Sequence, residues 1–542
     1  MDIPACPGKS DGIVSGKWWH ILAIIFLVIF TTGLFLYTVK IRSPWFGIVS
    51  ELNHQWHTSS TVIMTRNWYR EGIIKLKFVQ VEDPASVEFP ALEKRKLYLS
   101  YPPGAVLPVY LLAKIIRHEP TVPMVMGYNL ANHLLIAIFL ALLAYILLAQ
   151  LKVHPLNAMF FSIVPPMFEL LMPGPLYWHQ NVYYADEAVI LPFAIVIFLE
   201  VLRKSIRKKS TLNIVNIIQT IIFFYGFLTD WLFVFIALVM YVKRILTGEI
   251  PVRKGILQFL WYSLVFWLPG LIAIGLFLIQ VSYFNFWQEV MERATTRMSF
   301  DKDMVRNISF TQKVWLYMIL NYGQMGLRLL WSSIIVFIIM CGYTIYLRVR
   351  KRTLNSGLTR ILCVTGLLLV PCFLQIYALR NHSYVHDFSV LKFSLSLAVI
   401  PFIIFPVLLV LDYKKTEPVK KNPWIMLMLN IVVLLMAILY ITGEYPRYKK
   451  CFPEPNPEYQ QLGRYFEKRF DYNDIVFSPD FEIPYNPPQA VSHTMKRVYP
   501  YTCREDVYEK VRNLREPYRV VILHLDEKWR QKLKKLDELN VR

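Results

Sequence analysis

Apolar runs of about twenty residues, most of them closed by clusters of Lys and Arg, recur along most of the chain. That length is what an α-helix needs to cross a bilayer. The pattern predicts spans at residues 18–39, 124–149, 155–173, 187–202, 211–228, 231–246, 257–282, 327–347, 360–378, 389–411 and 424–442. The segments on one side of these spans are short and basic: Lys152 with His154, RKSIRKKS at 203–210, Lys243 and Arg244 with Arg253 and Lys254, RVRKR, and Lys414, Lys415, Lys420 and Lys421. Positive charge in short loops marks the cytoplasmic side, so Lys9 and Lys17 place the N-terminus inside and about eleven spans place the C-terminus outside. The first span has no small-residue cleavage site after it and reads as a retained helix.

The polar segments carry patterns of their own. SELNHQWHTSSTVIMTRNWYREG, at 50–72, has helical spacing, with Trp56, Ile63 and Met64 near one face and His57 and Arg66 offset. It predicts an amphipathic helix on the membrane surface, with His54, His57 and Arg66 at the water boundary. A plain interfacial anchor has the same pattern. This stretch opens a long first external loop, 40–122, that also holds KLYLSYPPGAVLPVYLLAKI. Tyr101-Pro102-Pro103-Gly104 forces a turn there, because each proline lacks a donor and restricts its predecessor. The apolar run after it is short and reads as a second interfacial or re-entrant helix. Beyond residue 442 the composition changes. EYQQLGRYFEKRF and DVYEKVRNL have helical spacing, whereas NDIVFSP and YRVVILHL read as strands, predicting a small external α/β domain over 443–542 after a transmembrane domain over 1–442.

Composition agrees with a polytopic membrane protein: 55% of residues are hydrophobic and 15% aromatic. The net charge of +21 would suit nucleic acid if it formed a stripe on a soluble domain, but its basic residues cluster in the loops between spans. The six cysteines show no metal-binding spacing. Cys341, Cys363 and Cys372 fall in apolar spans as packing residues. Cys451 and Cys503 lie in the tail, where an oxidising space would let them pair, although spacing cannot set a disulfide. Asn307-Ile308-Ser309 and Asn381-His382-Ser383 match acceptor sequons.

Ionisable residues collect at the external ends of the spans: Glu51, His54, His57 and Arg66 in the first loop; His179, Asp186 and Glu187 in the second; Asp230 at the third; Arg293 and Arg297 in the fourth, 283–325; and His382, His386 and Asp387 in the fifth. Each has a plain structural reading. Asp186 and Glu187 suit a helix start, and Arg293 and Arg297 suit snorkelling to lipid headgroups. Asp230 suits a turn, and His386 a backbone partner. Together on one face they point to chemistry. Carboxylates and imidazoles act as general bases, and paired arginines fit a phosphate. A membrane-edge site with both suggests a lipid-linked phosphate leaving group and a base for an acceptor hydroxyl.

These motifs resemble the GT-C membrane glycosyltransferases, in particular family-39-like enzymes related to protein O-mannosyltransferases and lipid A aminoarabinose transferases. His54, Trp56, Thr61, Arg66 and Asn67 match the first-loop motif of bacterial members, SYPPG their Tyr-Pro-Pro motif, YYADEAVILPF their second-loop acidic motif and SYVHDFSVLKF their late His-Asp-Tyr segment. The resemblance covers roughly residues 18–410 and the tail only loosely. It departs where the family carries first-loop acids, which are here Gln55 and Ser60. The base is therefore open among Glu51, His54, His57 and Asp186 with its neighbour Glu187; a carboxylate is what the resemblance implies, placing Asp186 and Glu51 first.

The function so implied is inverting transfer of a monosaccharide from a polyprenyl-phosphate donor to an extracytoplasmic acceptor: a glycolipid, an envelope glycan or a protein hydroxyl. Arg293, Arg297 and Arg66 would hold the donor phosphate, and Tyr101, His179, Asp230, His386 and Asp387 would line the substrate site. The protein would sit in the plasma or inner membrane. No nucleotide sugar or nucleic acid is expected, since no Rossmann-type glycine fingerprint is present. No metal ligands are assigned, although a divalent cation is compatible with the site. The rivals are a secondary transporter, which would carry internal repeats and midplane charges, and a non-catalytic lipid-binding protein.

Overall fold

The computed structural model describes residues 13–50, 54–88, 92, 95–251, 255–298, 308–350, 356–410, 423–451, 456–479, 485–514 and 517–540. Glu51, the sequon residue Asn307 and the loop residues Lys9, Arg253, Lys254, Lys351, Arg352, Lys414, Lys415, Lys420 and Lys421 lie outside these residues.

The chain is an α-helical, multi-pass membrane protein. Among the described residues, 8 helices are long and apolar enough to cross a membrane, and the pair Pro155–Leu171 and Pro173–Asn181, bent by 60°, brings the number to 9 if counted as one span. The expected spans at 187–202 and 231–246 are helices Ile190–Arg203 and Leu232–Leu246, of 14 and 15 residues, shorter than the twenty or so of a perpendicular crossing. The expected loop before 327 is instead largely helical. Trp287–Met298 is a helix of its own, and Phe310–Val349 is one 40-residue helix broken at Gly323, whose φ is 72°. Asn321, Gly323 and Gln324 give this stretch the look of a loop. Gly323 takes the left-handed break there, and a β-carbon on it would meet the Glu444 carboxylate.

The first-loop helix is Trp56–Glu71, and 11 of its 16 residues are buried. It does not lie open on a membrane surface as its amphipathic pattern predicts. The physical reason is its hydroxyl-rich face. Thr58 donates to the Asn181 carbonyl at 2.9 Å and accepts from the Tyr183 amide at 3.0 Å; Thr61 donates to the Tyr183 carbonyl at 2.9 Å. Polar groups that bring their own partners can be buried without penalty. The other end is pinned by Asn67, whose amide donates to Val81 and Asp83 carbonyls, and by Trp68, whose indole donates to the Val79 carbonyl. A core of Val62, Met64, Trp68, Tyr101, Val106 and Tyr183 fills the space beneath.

The tail holds a parallel sheet in which Asp474–Ser478 lies between Val498–Pro500 and Arg519–Ile522. Helices Glu458–Glu467, Pro488–Thr494 and Arg504–Val511 accompany it. The short strand Val498–Pro500 is absent from the sequence expectation. The tail is seated on the first loop: Ile63 packs with Val491 and Met495, and Arg497 pairs with Asp83 at 2.6 Å. Cys503 is an exposed free thiol, and Cys341, Cys363 and Cys372 are free; the Cys451 side chain lies outside the described part.

Candidate functional site

Asp186 is the hub. It begins a one-turn helix, Ala185–Ala188, and is 2% exposed. Lys392 donates to its Oδ1 at 2.6 Å, and His382 Nε2 lies 3.5 Å from its Oδ2. Burial alone would raise its pKa, but Lys392 and His382 outweigh that and hold the carboxyl well below the usual range. Glu187 performs the capping role foreseen for the pair, accepting from the Tyr184 amide at 3.1 Å.

Asp230 stands on the far side of Lys392, 3.9 Å from its Nζ. Its Oδ1 accepts from the Leu232 amide and from Gln375, at 2.6 and 2.7 Å, and its Oδ2 has no hydrogen-bond partner among the described residues. Burial pushes its pKa up.

The turn at SYPPG forms the next wall. Gly104 presses against the Leu228 carbonyl and Thr229, so any β-carbon would collide with backbone there. This seats Tyr101 in the site, its ring 6.2 Å from Tyr184 and 6.4 Å from His382. Above it lies the helix Trp287–Met298. The Arg297 guanidinium sits 4.6 Å from the centre of the Tyr101 ring and donates to the Ser100 carbonyl and the Tyr98 hydroxyl. Although burial opposes it, Tyr101, Tyr98 and Asp186 hold this guanidinium above its ordinary pKa. Arg293 donates to the Ser100 hydroxyl at 2.8 Å and pairs with Glu289. Neither arginine points freely into lipid.

Histidines close the remaining side. His54 has a left-handed backbone, φ 58°, and its Nε2 lies 3.3 Å from Asp387 Oδ1. His57 is stacked against Trp56 and lies 5.7 Å from the Tyr184 ring. His386 lies 5.3 Å from His54 and 4.6 Å from His382, ring to ring. Burial, then the charge of neighbouring histidines, pushes the His57 imidazole down to about 3 and the His386 imidazole to about 2, so both are neutral. His54, His57 and His386 offer nitrogens all within 4.8 Å of one another, as a metal ion would require.

The structure therefore brings together His54, His57, Tyr101, Asp186, Asp230, Arg293, Arg297, His386 and Asp387. Two expected residues are elsewhere. Arg66, nine residues beyond His57 and so about 14 Å further along the helix, donates to the Pro120 carbonyl and faces Glu119. It lines a separate cavity of about 860 Å³ between the first loop and the tail. His179 is fully buried among the spans beside His133 and Glu169. Lys392 and the role of His382 escape the sequence reading. The signal for Lys392 was a lone lysine inside the apolar run SVLKFSLSL, since an ionisable residue within a span is costly and marks a partner.

A scan of protein-family models finds no match, and neither does a search of curated proteins. Solved structures do match. The ArnT of Cupriavidus metallidurans bound to undecaprenyl phosphate is 10% identical, with 90% of this chain and 87% of that chain covered at a TM-score of 0.50. The oligosaccharyltransferase of Archaeoglobus fulgidus is 11% identical at a TM-score of 0.47, with 89% of this chain covered. This chain spans 64% of that protein's length. The fold is GT-C-like, as the motifs led one to expect.

Proposed function

We propose that the protein transfers a monosaccharide from a polyprenyl-phosphate donor to an acceptor hydroxyl outside the cytoplasm, with inversion. The observation that carries this reading is the gathering of a guanidinium, Arg297, over the Tyr101 ring and of an ion-paired carboxylate, Asp186, beside His382, whose ring lies 6.4 Å from that of Tyr101. Opposed charges at one membrane-edge site suit a reaction that releases an anion and a proton together. The acceptor oxygen bonds to the anomeric carbon while the bond from that carbon to the phosphate oxygen breaks. Arg297 and Arg293 receive the leaving phosphate. Asp186 takes the acceptor's proton. Lys392 keeps Asp186 ionised but makes it a weak base, so the proton moves as the new bond forms and not before. His382 and Asp387 flank the reacting centre. The acceptor is a glycolipid, an envelope glycan or a protein hydroxyl, and the ArnT structure with undecaprenyl phosphate supports the lipid donor.

The test is incubation of detergent-purified protein with polyprenyl-phosphate monosaccharides and a hydroxyl acceptor, following release of polyprenyl phosphate. Release is expected from the native protein and not from Asp186→Asn. Equal release from both would remove Asp186 as base, and no release with any donor and acceptor pair would remove the reading.

A further inference from the structure

We infer that His54, His57 and His386 form a binding site for one zinc-type divalent cation. These imidazoles come from two segments far apart in sequence, the first loop and the fifth, and each brings a nitrogen within 4.8 Å of those of the other two. His57 Nε2 and His386 Nδ1 are buried and have no hydrogen-bond partner among the described residues. A buried polar group left unpaired is costly, and a cation bound by these nitrogens removes that cost.

The geometry fits such an ion after a small inward motion. With Zn–N bonds of about 2.0–2.1 Å, three tetrahedrally placed imidazoles have ring centres about 5 Å apart. Here the separations are 5.3 Å for His54 and His386, 6.2 Å for His57 and His386, and 6.4 Å for His54 and His57. Side-chain rotation covers the remaining ångström. Asp387, 3.3 Å from His54 Nε2, stands where an outer carboxylate orients a metal-bound imidazole, leaving His54 Nδ1 for the ion. Three nitrogen ligands select a borderline ion such as Zn²⁺ over Mg²⁺ or Mn²⁺, which prefer oxygen. The fourth position is left to a water or a substrate oxygen, as in open zinc sites. His54 is 24% exposed at its side chain, which gives the ion a way in.

The experiment uses the full chain, purified in detergent through a tag without histidine and without chelators, with metal measured by mass spectrometry. About one zinc per chain is expected, and His57→Ala and His386→Ala should each lose most of it. His524→Ala, a change at an exposed histidine of the tail, should keep it. As a guard against misfolding, chelator-stripped native protein titrated with Co²⁺ should show the visible absorption of a tetrahedral nitrogen site. His386→Gln, eluting normally on gel filtration, should not. Absence of both zinc and the Co²⁺ spectrum in native protein overturns the inference. So does zinc that survives His57→Ala and His386→Ala but is lost in Glu169→Gln. Metal content is read without turnover, so zinc bound by a protein that releases no polyprenyl phosphate would sink the transferase reading and leave the site standing.

Discussion

Two clusters of histidine and carboxylate lie in this molecule, and they differ in what surrounds them. The outer one, His54, His57 and His386 with Asp387, has imidazole nitrogens without hydrogen-bond partners among the described residues and a partly exposed edge. The inner one, His133, Glu169 and His179, is fully buried, and His133 is committed on both sides. Its Nδ1 accepts from Arg42 at 3.0 Å, so its Nε2 carries the proton and donates to the Glu169 carbonyl at 3.0 Å. Arg42 itself is buried and bonds to Thr38. The buried Arg42 guanidinium stands against this cluster through His133, so a divalent cation there would meet a like charge at close range. The Glu169 carboxylate and both His179 nitrogens lack hydrogen-bond partners among the described residues, so the inner cluster also holds idle ligand atoms, but it is sealed from solvent and lies beside a fixed positive charge. Access and the neighbouring guanidinium decide between the two.

The strongest way to break this contrast is at Arg42. Replacing it with Met keeps much of the volume but leaves the buried His133 Nδ1 without its donor. The expected loss is about 1–3 kcal/mol of stability, the cost of a buried polar group left unpaired, seen as a lower melting temperature in detergent. In chelator-stripped protein His57→Ala, by contrast, should leave the melting temperature close to native, since among the described residues its Nε2 has no hydrogen bond to lose. Equal destabilisation by Arg42→Met and His57→Ala would mean that both clusters are structural.

Next in size is the reacting carboxylate. Asp186→Asn should lower turnover by about a hundredfold or more, the usual scale for a general base, with a smaller effect on donor binding. The inner-cluster variant Glu169→Gln should spare turnover in whatever fraction remains folded. A turnover loss at Glu169 as large as at Asp186 would join the two clusters into one working unit.

Much of this was legible in the sequence, for reasons that also explain the omissions. Bilayer thickness forces spans to be long and apolar, so most of them stand out. Charges that gather at span ends stand out for the same reason, and His54, His57, Asp186, Arg297, His386 and Asp387 were found that way. The burial of Trp56–Glu71 was hidden because Thr58, Thr61 and Asn67 are polar by composition yet dry by bonding. Lys392 was hidden inside an apolar run. His179 was assigned to the site because a span end is a sequence address; the bend between Pro155–Leu171 and Pro173–Asn181 carries it back among the helices. Arg66 was grouped with these residues by sequence, but nine residues along a helix is about 14 Å in space, which puts it beside Pro120 and Glu119.

The arginines sharpen the comparison further, since they too fall in two settings. Arg297 lies over Tyr101 and Arg293 bonds Ser100. Alanine at either should weaken use of the lipid donor by about 1.5–3 kcal/mol, the worth of a hydrogen bond to a charged group, measured as kcat/KM for the donor. Unchanged donor kinetics in both variants would leave these residues a packing role alone.

The smallest effect is expected where a basic residue is paired in water. Arg70 meets Glu119 through two hydrogen bonds, at 2.7 and 3.0 Å, on the rim of the cavity beneath the tail. Both side chains are about a third exposed, 32% and 36%, so solvent screens the pair and its worth is about 0.2–1 kcal/mol. Arg70→Ala should therefore shift stability by no more than that, with the shift shrinking as salt is added. Donor kinetics should stay native, because Arg70 lies one helical turn beyond Arg66 and further still from His57. A fall in donor kcat/KM comparable to that of Arg297→Ala would extend the donor site into this cavity, and Arg66 would return to the role that its sequence position first suggested.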